Sequence, residues 1–196
     1  MPRIDAPTVA EHRANQERAL LDAARVLLLE GGKAAVTPAA VGAVAGLARS
    51  SVYKYFRSGD EVLARVVADD FAEWGARVRE AVDRHDTADG RVMAYVRVTL
   101  ELAAAGAHRV AVLGGGMPGD PAARAVLARH HHDLTAPLRT ALADRGDPDP
   151  GLTADLVDGA LGRAIDRIDA GEPVADVTRV TTEFLCRALR ITAAGH

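Results

Sequence analysis

Six side chains that carry hydrogen-bond donors crowd into residues 49–55, and their chemistry suits a polyanion. They comprise two cations, two serine hydroxyls and two phenols: Arg49, Ser50, Ser51, Tyr53, Lys54 and Tyr55. Such groups hold the phosphates of DNA and approach the edges of its bases. If the segment is helical, Val52 and Phe56 share one buried face, because residues four apart lie above one another on a helix. The donors then point elsewhere, as in a helix that lies in the major groove of DNA.

A short helix must precede this one to position it. Thr37 is a good N-cap, and Pro38 suits the first helical position, where a missing N–H costs nothing. The following residues give an apolar face at helical spacing: Val41, Val44 and Ala45. Gly46 then permits a tight turn between the two helices. These features predict a helix-turn-helix, and we count Thr37 with its DNA-binding residues.

Residues 37–63 resemble the helix-turn-helix of the TetR (tetracycline-repressor) family of transcriptional regulators, whose pattern runs roughly T-x-x-x-I-A-x-x-A-G-V-S-x-x-T-L-Y-x-H-F-x-S-K-E-x-L. The positions that match it or replace it conservatively are Thr37, Val41, Ala45, Gly46, Leu47, Ser51, Val52, Tyr53, Tyr55, Phe56, Ser58, Asp60 and Leu63. Residues 19–32 are similar to the family's first helix. Three positions depart from the pattern: Ala48 stands where a capping Ser is usual, Gly42 where Ala is usual, and Gly59 where Lys is usual.

The resemblance implies an all-α protein of about nine helices. A head of residues 1–59, with three helices, would bind DNA, and a body of residues 60–196 would bind a ligand and dimerise. Within the head, residues 1 to about 14 are predicted to form a loose N-terminal arm that carries Arg3 and Arg13. Proteins of this family are not enzymes and need no cofactor; most are repressors that leave a palindromic operator when a small-molecule effector binds. The implied partners are double-stranded operator DNA, an effector and a second copy of the chain. The alternative, which the three departures favour, is a helical interaction module that has lost specific DNA binding.

Charge is distributed unevenly along the 196 residues. Residues 1–57 carry eight basic and five acidic side chains, whereas the remainder carries 16 basic and 22 acidic ones. The positive end is the helix-turn-helix end, as the neutralisation of phosphates requires, although an Arg-rich composition alone explains a surplus of this size. No apolar run approaches the roughly 20 residues of a membrane helix, so we expect a cytoplasmic protein without a membrane partner.

Other chemistries fit the sequence poorly. The single cysteine, Cys186, allows neither an intrachain disulfide nor a Cys-based zinc site. The histidines at 130–132 cannot converge on one metal ion, because successive side chains on a helix diverge by about 100°. A phosphate-binding loop follows a strand, but no strand is predicted before the Gly-rich residues 106–121. These residues are predicted to form a short helix and a flexible connection. No nucleophile, base and orienting group occur in a recognisable arrangement.

The candidate ligand-binding residues of the body are large or polar side chains at positions that we expect to face its interior. They are Trp74, Tyr95, Thr99, His108 and Met117. Two of them, Tyr95 and Thr99, belong to a helix predicted over about residues 91–105, whose all-round apolar pattern indicates a central, buried position. Core packing is the alternative role for each of the five.

The last two helices, predicted over about residues 151–170 and 173–191, each carry an apolar stripe. In the TetR family the two C-terminal helices of each subunit pair into a four-helix dimer interface. By that resemblance the interface residues are Leu161, Ile165, Ile168, Phe184 and Ala188. The stripes by themselves fit an intramolecular core equally well, and both roles can hold at once.

Overall fold

The computed structural model describes residues 9–106, 108–114 and 121–191, which form nine α-helices and one 3₁₀ turn and contain no strand. The helices are α1 (Val9–Gly31), α2 (Pro38–Val44), α3 (Arg49–Val52), α4 (Gly59–Asp83), α5 (Ala88–Ala104), α6 (Arg109–Gly114), α7 (Pro121–Asp144), α8 (Pro150–Asp169) and α9 (Val174–Leu189). The 3₁₀ turn covers Lys33–Ala35. The predicted all-α class is therefore confirmed. None of the described helices combines the length and the hydropathy of a membrane span.

Packing divides the chain into two compact units. The first comprises the described residues within Met1–Asp70 and Arg109–Met117, and the second those within Phe71–His108 and Pro118–His196. This division falls inside α4, whereas the boundary expected from the sequence lies at residue 59. The first unit also takes in α6, which packs against α1.

Helix starts in the first unit follow from side-chain caps. The Oγ1 of Thr37 accepts a hydrogen bond from the backbone N–H of Ala40 at 3.2 Å, as its predicted N-cap role requires. At the start of α4, the Oγ of Ser58 accepts from the N–H of Glu61 at 3.2 Å, and the Glu61 carboxylate accepts from the N–H of Arg57 at 2.6 Å. This reciprocal arrangement resembles a capping box and fixes the first turn of α4.

The first helix begins earlier than its sequence pattern predicts. We expected a loose arm over residues 1–14, but α1 already begins at Val9, so the expectation is wrong for residues 9–14. Arg3, the other cation of that expected arm, lies outside the described residues. The earlier start brings Arg13 onto α1, where it contacts the helix-turn-helix.

The core of the second unit surrounds α5. Eight of its residues are buried, among them Val92, Val96 and Leu100, and α5 packs against α7, α8 and α9. The all-round apolar pattern predicted this central position. α5 begins at the N-cap Thr87, whose Oγ1 accepts from the N–H of Gly90 at 3.0 Å.

Candidate DNA-binding surface and ligand-binding residues

The two short helices of the helix-turn-helix meet through a buried seam. Val41 on α2 and Val52 on α3 are fully buried, and Phe56 is 5% exposed. Gly46 turns the chain between the helices with φ 68°, a left-handed conformation that favours glycine. Val44 does not join the seam and is 54% exposed. The buried residues of this short helix are Val41 and Gly42.

Most of the predicted DNA-binding side chains lie on the opposite surface. Arg49, Ser50, Tyr53 and Lys54 are exposed, as is Thr37, and Ser51 is half-buried. The Arg49 Nη2 donates to the Tyr53 hydroxyl at 3.0 Å, and its guanidinium lies over the Tyr53 ring, 5.6 Å from the centroid. The guanidinium and the phenol are thus held side by side on one exposed surface.

Tyr55 differs from the other donors because it faces α1. Its hydroxyl donates to the Oε1 of Gln16 at 2.7 Å, and the Arg13 guanidinium lies 5.7 Å from the centroid of its ring. Tyr55 is half-buried. In this conformation its hydroxyl joins the recognition segment to the first helix, a contact that the sequence pattern did not indicate.

Two of the three departures from the family pattern have a steric reason. A Cβ on Gly42 would lie 2.8 Å from the carbonyl oxygen of Leu47 and 2.9 Å from Cγ2 of Val52, so the glycine lets α2 approach the turn and α3 closely. A Cβ on Gly59 would overlap the carbonyl oxygen of Val36 and lie 3.3 Å from its carbonyl carbon. Both glycines are therefore part of the packing of the head.

The third departure, Ala48, leaves the recognition helix without a side-chain cap. Ala48 is the N-cap of α3, with φ −62° and ψ 144°, and makes no capping hydrogen bond. Its extended backbone is the geometry in which a serine caps a helix. The helix itself is four residues long, after which the chain continues in tight turns to Phe56.

Two of the predicted ligand-binding residues meet on the buried face of α5. Tyr95 is 3% exposed and Thr99, one helical turn further on, is 6% exposed. Burial raises the pKa of the Tyr95 phenol, and the negative charge of Asp158 raises it further, so the phenol remains a hydrogen-bond donor. The Oγ1 of Thr99 is buried and lies beside the Tyr95 phenol.

Polar side chains of α7 and α8 accompany Tyr95, and only His131 among them was considered from the sequence, as one of three consecutive histidines. The Nε2 of His131 lies 3.2 Å from Oδ2 of Asp158, and this hydrogen bond raises the pKa of His131 above its usual 6.5. Thr135 is 1% exposed, and its hydroxyl lies 3.1 Å from the carbonyl oxygen of His131, to which it donates. Arg139 donates in turn to the Thr135 hydroxyl. The spacing of four residues between His131, Thr135 and Arg139 indicated that they share one face of α7. The sequence did not indicate that this face lies close to α5 and α8.

The other three candidates occupy different surroundings. Trp74 is half-buried and packs against the core of the second unit. His108 is 9% exposed; its Nε2 lies 2.7 Å from Oδ2 of Asp169, and its buried Nδ1 has no partner among the residues that the structure describes. Met117 lies outside the described residues. Within the described ranges, no three His, Cys, Asp or Glu side chains come close enough together to hold a metal ion.

The predicted interface residues divide into two groups. Leu161 is 1% exposed and belongs to the protomer's own core, because its face of α8 packs inward, and Ile165 and Ile168 are half-buried against that core. Phe184 is 54% exposed and Ala188 is also exposed. Further apolar side chains that α8 and α9 expose are Leu152, Leu156, Val174 and Val180. The most exposed apolar side chains of α8, Leu152 and Leu156, are therefore not among the three α8 residues that were predicted for the interface.

Comparison with known proteins agrees with this architecture. Residues 20–66 match the family model described as "Bacterial regulatory proteins, tetR family". The fold is similar to that of the fatty acid degradation regulator FadR from Bacillus halodurans, with a TM-score of 0.75, 16% identity, and 89% of this chain and 96% of that chain covered. FadR from Bacillus subtilis in complex with stearoyl-CoA matches with a TM-score of 0.73 at 17% identity, and the match covers 86% of this chain and 96% of that chain.

A TetR-like transcriptional regulator from Rhodococcus sp. RHA1 gives a TM-score of 0.71 at 20% identity, and the match covers 98% of this chain and 100% of that chain. Comparison with curated protein sequences gives no match. The helix-turn-helix resemblance and the nine-helix expectation for the described residues are confirmed.

Proposed function

We propose that this chain, a TetR-family protein by its residues 20–66, is a ligand-responsive DNA-binding regulator that represses transcription as a homodimer. The observation that carries the proposal is the exposed surface of Arg49, Tyr53 and Lys54, which lies opposite the buried Val52 and Phe56. Two such surfaces in a dimer would meet half-sites of a palindromic operator about 34–36 Å apart. The effector would release the operator by favouring a conformation in which the two heads no longer match that spacing.

The exposed donors would contact different parts of the DNA. Tyr53 would hold a phosphate, with Arg49 beside it to approach a base edge or the flanking backbone. Lys54 has no ion-pair partner among the described residues and is free to neutralise a phosphate. Ser50, Ser51 and the capping Thr37 would add hydrogen bonds to the backbone of the DNA. Tyr55 would act mainly through Gln16, by holding the recognition segment.

Salt-dependent DNA retention tests this proposal. Genome-wide mapping of bound DNA would first supply an operator, and fluorescence anisotropy would then measure its affinity at several salt concentrations. Lys54→Ala should weaken binding to operator and to random DNA alike and should lower the salt slope by about one per lost contact. The control is Arg79→Ala, which removes an exposed cation from the second unit. If Lys54→Ala binds like this control, the assigned surface is wrong.

The proposed effector site is the buried polar cluster around Tyr95 and Thr99. Both hydroxyls are buried side by side, where a polar group of a ligand would meet them. We infer an effector that is mostly aliphatic, because aromatic residues make up only 4% of the chain, and that carries a polar group for these hydroxyls. Stearoyl-CoA, the ligand in the Bacillus subtilis FadR structure, carries a long aliphatic acyl chain.

Reciprocal linkage tests the effector site. A compound that weakens operator binding must itself bind more weakly to the operator complex by the same factor, typically a coupling of about 1–3 kcal/mol. Trp74, the only tryptophan, packs on the same core and should report binding by its fluorescence. Thr99→Val keeps the shape of the side chain and removes its hydroxyl, so it should weaken the binding of the effector without unfolding the protein. Compounds that change Trp74 emission but never operator affinity would contradict the assignment.

The exposed stripe of α8 and α9 supports the homodimer. Its large members include Leu156, 66% exposed, and Phe184, 54% exposed. Gly159 and Gly162 lie on the same exposed side of α8, and a Cβ on either would meet nothing within 4 Å. A mid-helix glycine costs roughly 0.5–1 kcal/mol relative to alanine, and the close approach of a partner helix would explain that cost. Sedimentation that finds only monomer at micromolar concentration would exclude both the dimer and the palindromic operator.

One observation favours the alternative of an interaction module that has lost specific DNA binding. Ala48 leaves α3 uncapped, which weakens the element that has to enter the groove. Gly42 and Gly59 no longer support this alternative, because the packing of the head requires them. If the wild-type chain retains no DNA in a salt-dependent manner, the alternative replaces the main proposal.

A further inference from the structure

A groove of about 450 Å³ opens between the second half of α4 and α5, entirely within the second unit. The two helices form a hairpin with a four-residue connection, residues 84–87. The floor of the groove is apolar and includes Ala94, Val98 and Leu102, which repeat every four residues along one face of α5. Tyr95 and Thr99 lie on the neighbouring face, so the groove is separate from the proposed effector cluster.

The rim of this α4–α5 groove is charged. Its ionisable side chains are Arg77, Arg84, Arg97, His85, Glu80 and Glu101. Arg84, in the connection, pairs with Glu80 of α4, and Arg77 pairs at 3.0 Å with Glu73, which lies outside the groove. Arg97 is exposed and has no ion-pair partner within the described part of the chain.

Of the three arginines on the rim, Arg97 alone lacks an ion-pair partner among the described residues, and Glu80 and Glu101 carry negative charge on the same rim. In each of these two pairs the arginine and its glutamate are both exposed, and surface pairs of that kind contribute little, so either arginine can turn to another anion. Arg97 needs no such exchange. A guanidinium offers a planar fork of donors that matches carboxylate and phosphate oxygens.

We propose that the α4–α5 groove is a second ligand site, for a small organic anion with a short aliphatic chain. Its carboxylate or phosphate head lies on Arg97, with Arg77 or Arg84 beside it, and its chain lies on Val98, Ala94 and Leu102. The volume is within the range of about 300–1,000 Å³ that small-molecule sites occupy. The nine residues from Ala94 to Leu102 span about 12 Å of helix, which suits a chain of about eight carbons.

Isothermal titration calorimetry of the full chain with octanoate, octyl phosphate and neutral 1-octanol tests the site. We expect one saturable site per chain for an anion and at least tenfold weaker binding of 1-octanol. The tighter of the two anions identifies whether the head is a carboxylate or a phosphate. Arg97→Ala should weaken that anion at least tenfold, and Arg97→Glu should abolish its binding. Arg79→Ala, an exposed arginine of α4 outside the groove, should leave it unchanged.

Variants at Arg97 and Thr99 distinguish binding in the groove from binding in the effector cluster. Arg97 is exposed, so its replacement should leave the melting temperature unchanged, which circular dichroism checks. Equal binding by wild type and Arg97→Ala overturns the proposal, as does binding that Thr99→Val abolishes, because the anion would then occupy the effector cluster. The titration contains no DNA, so its failure leaves the proposed regulator intact, and the failure of operator binding leaves the groove intact.

Discussion

Restoring the TetR-family residue at Gly59 should destabilise the protein, although replacement by a family residue usually stabilises one. A Cβ at this position overlaps the carbonyl oxygen of Val36, and the hydrogen bonds of Ser58 and Glu61 hold the first turn of α4 in place. Forcing atoms into filled space costs about 1–3 kcal/mol, whereas removing a helical glycine gains at most about 1 kcal/mol. We therefore expect Gly59→Lys to lose roughly 1–2 kcal/mol of unfolding free energy.

The same reasoning gives the opposite sign at Ala48. Its backbone already has the extended conformation of an N-cap, and its side chain is exposed, so a serine fits without strain. The new hydroxyl would accept a hydrogen bond from the N–H of Ser50, because the N–H of Ser51 already donates to the carbonyl oxygen of Ala48; the gain is about 1 kcal/mol. For a protein of this size, that corresponds to a rise in melting temperature of roughly 2–4 °C.

Urea and thermal unfolding, followed by circular dichroism, measure both changes. Gly59→Ala is the matched control, because it adds the Cβ without the charge or length of lysine and should lose about as much stability. The steric argument is refuted if Gly59→Ala is as stable as wild type, since α4 would then move away from Val36 without cost. An Ala48→Ser variant without any gain would refute the capping argument alone.

Three other features of the structure give measurable expectations. Tyr55→Phe removes the hydrogen bond to Gln16 and should cost about 1 kcal/mol of unfolding free energy, and adding Gln16→Ala should cost little more; additive losses in urea unfolding would mean that the two are not coupled. Phe184→Glu would bury a carboxylate in the proposed dimer and should produce a folded monomer in sedimentation velocity, whereas an unchanged dimer would place the interface elsewhere. Because Asp158 raises the pKa of His131, their pair stabilises the fold fully below about pH 6.5 and loses that contribution as pH rises through the raised pKa. Thermal unfolding of His131→Gln should therefore approach that of wild type at alkaline pH, and an equal difference at all pH values would contradict this.

Local sequence signals predicted the elements well wherever one residue type determines a backbone conformation. The cap at Thr37 and the turn at Gly46 are of this kind, because each acts on neighbours within a few residues. The start of α1 was missed because residues 9–14 offer no such signal. Arg13, which lies in this part of α1, contacts Tyr55, and a contact between residues so far apart in the sequence leaves no local signal.

Contacts between helices were predictable only in part, for the same reason. Tyr95 and Thr99 were expected to face the interior, but the charge of Asp158 close to Tyr95 depends on how α5 and α8 pack. The helix α8 is apolar on more than one face, so periodicity could not decide which face lies inside. Leu161 was therefore assigned to the interface although it is buried, and the exposed Leu156 was not.

The recognition helix is only one turn long, and this has a consequence for the dynamics of the head. A single turn has no stability of its own in water, so the conformation of residues 49–56 depends on Val52, Phe56 and the contact of Tyr55 with Gln16. We expect this segment to open locally far more often than the head unfolds, and its amide hydrogens to exchange faster than those of α1. Operator binding would then suppress that exchange and carry an unfavourable entropy of ordering, whereas binding to random DNA would leave much of the exchange in place.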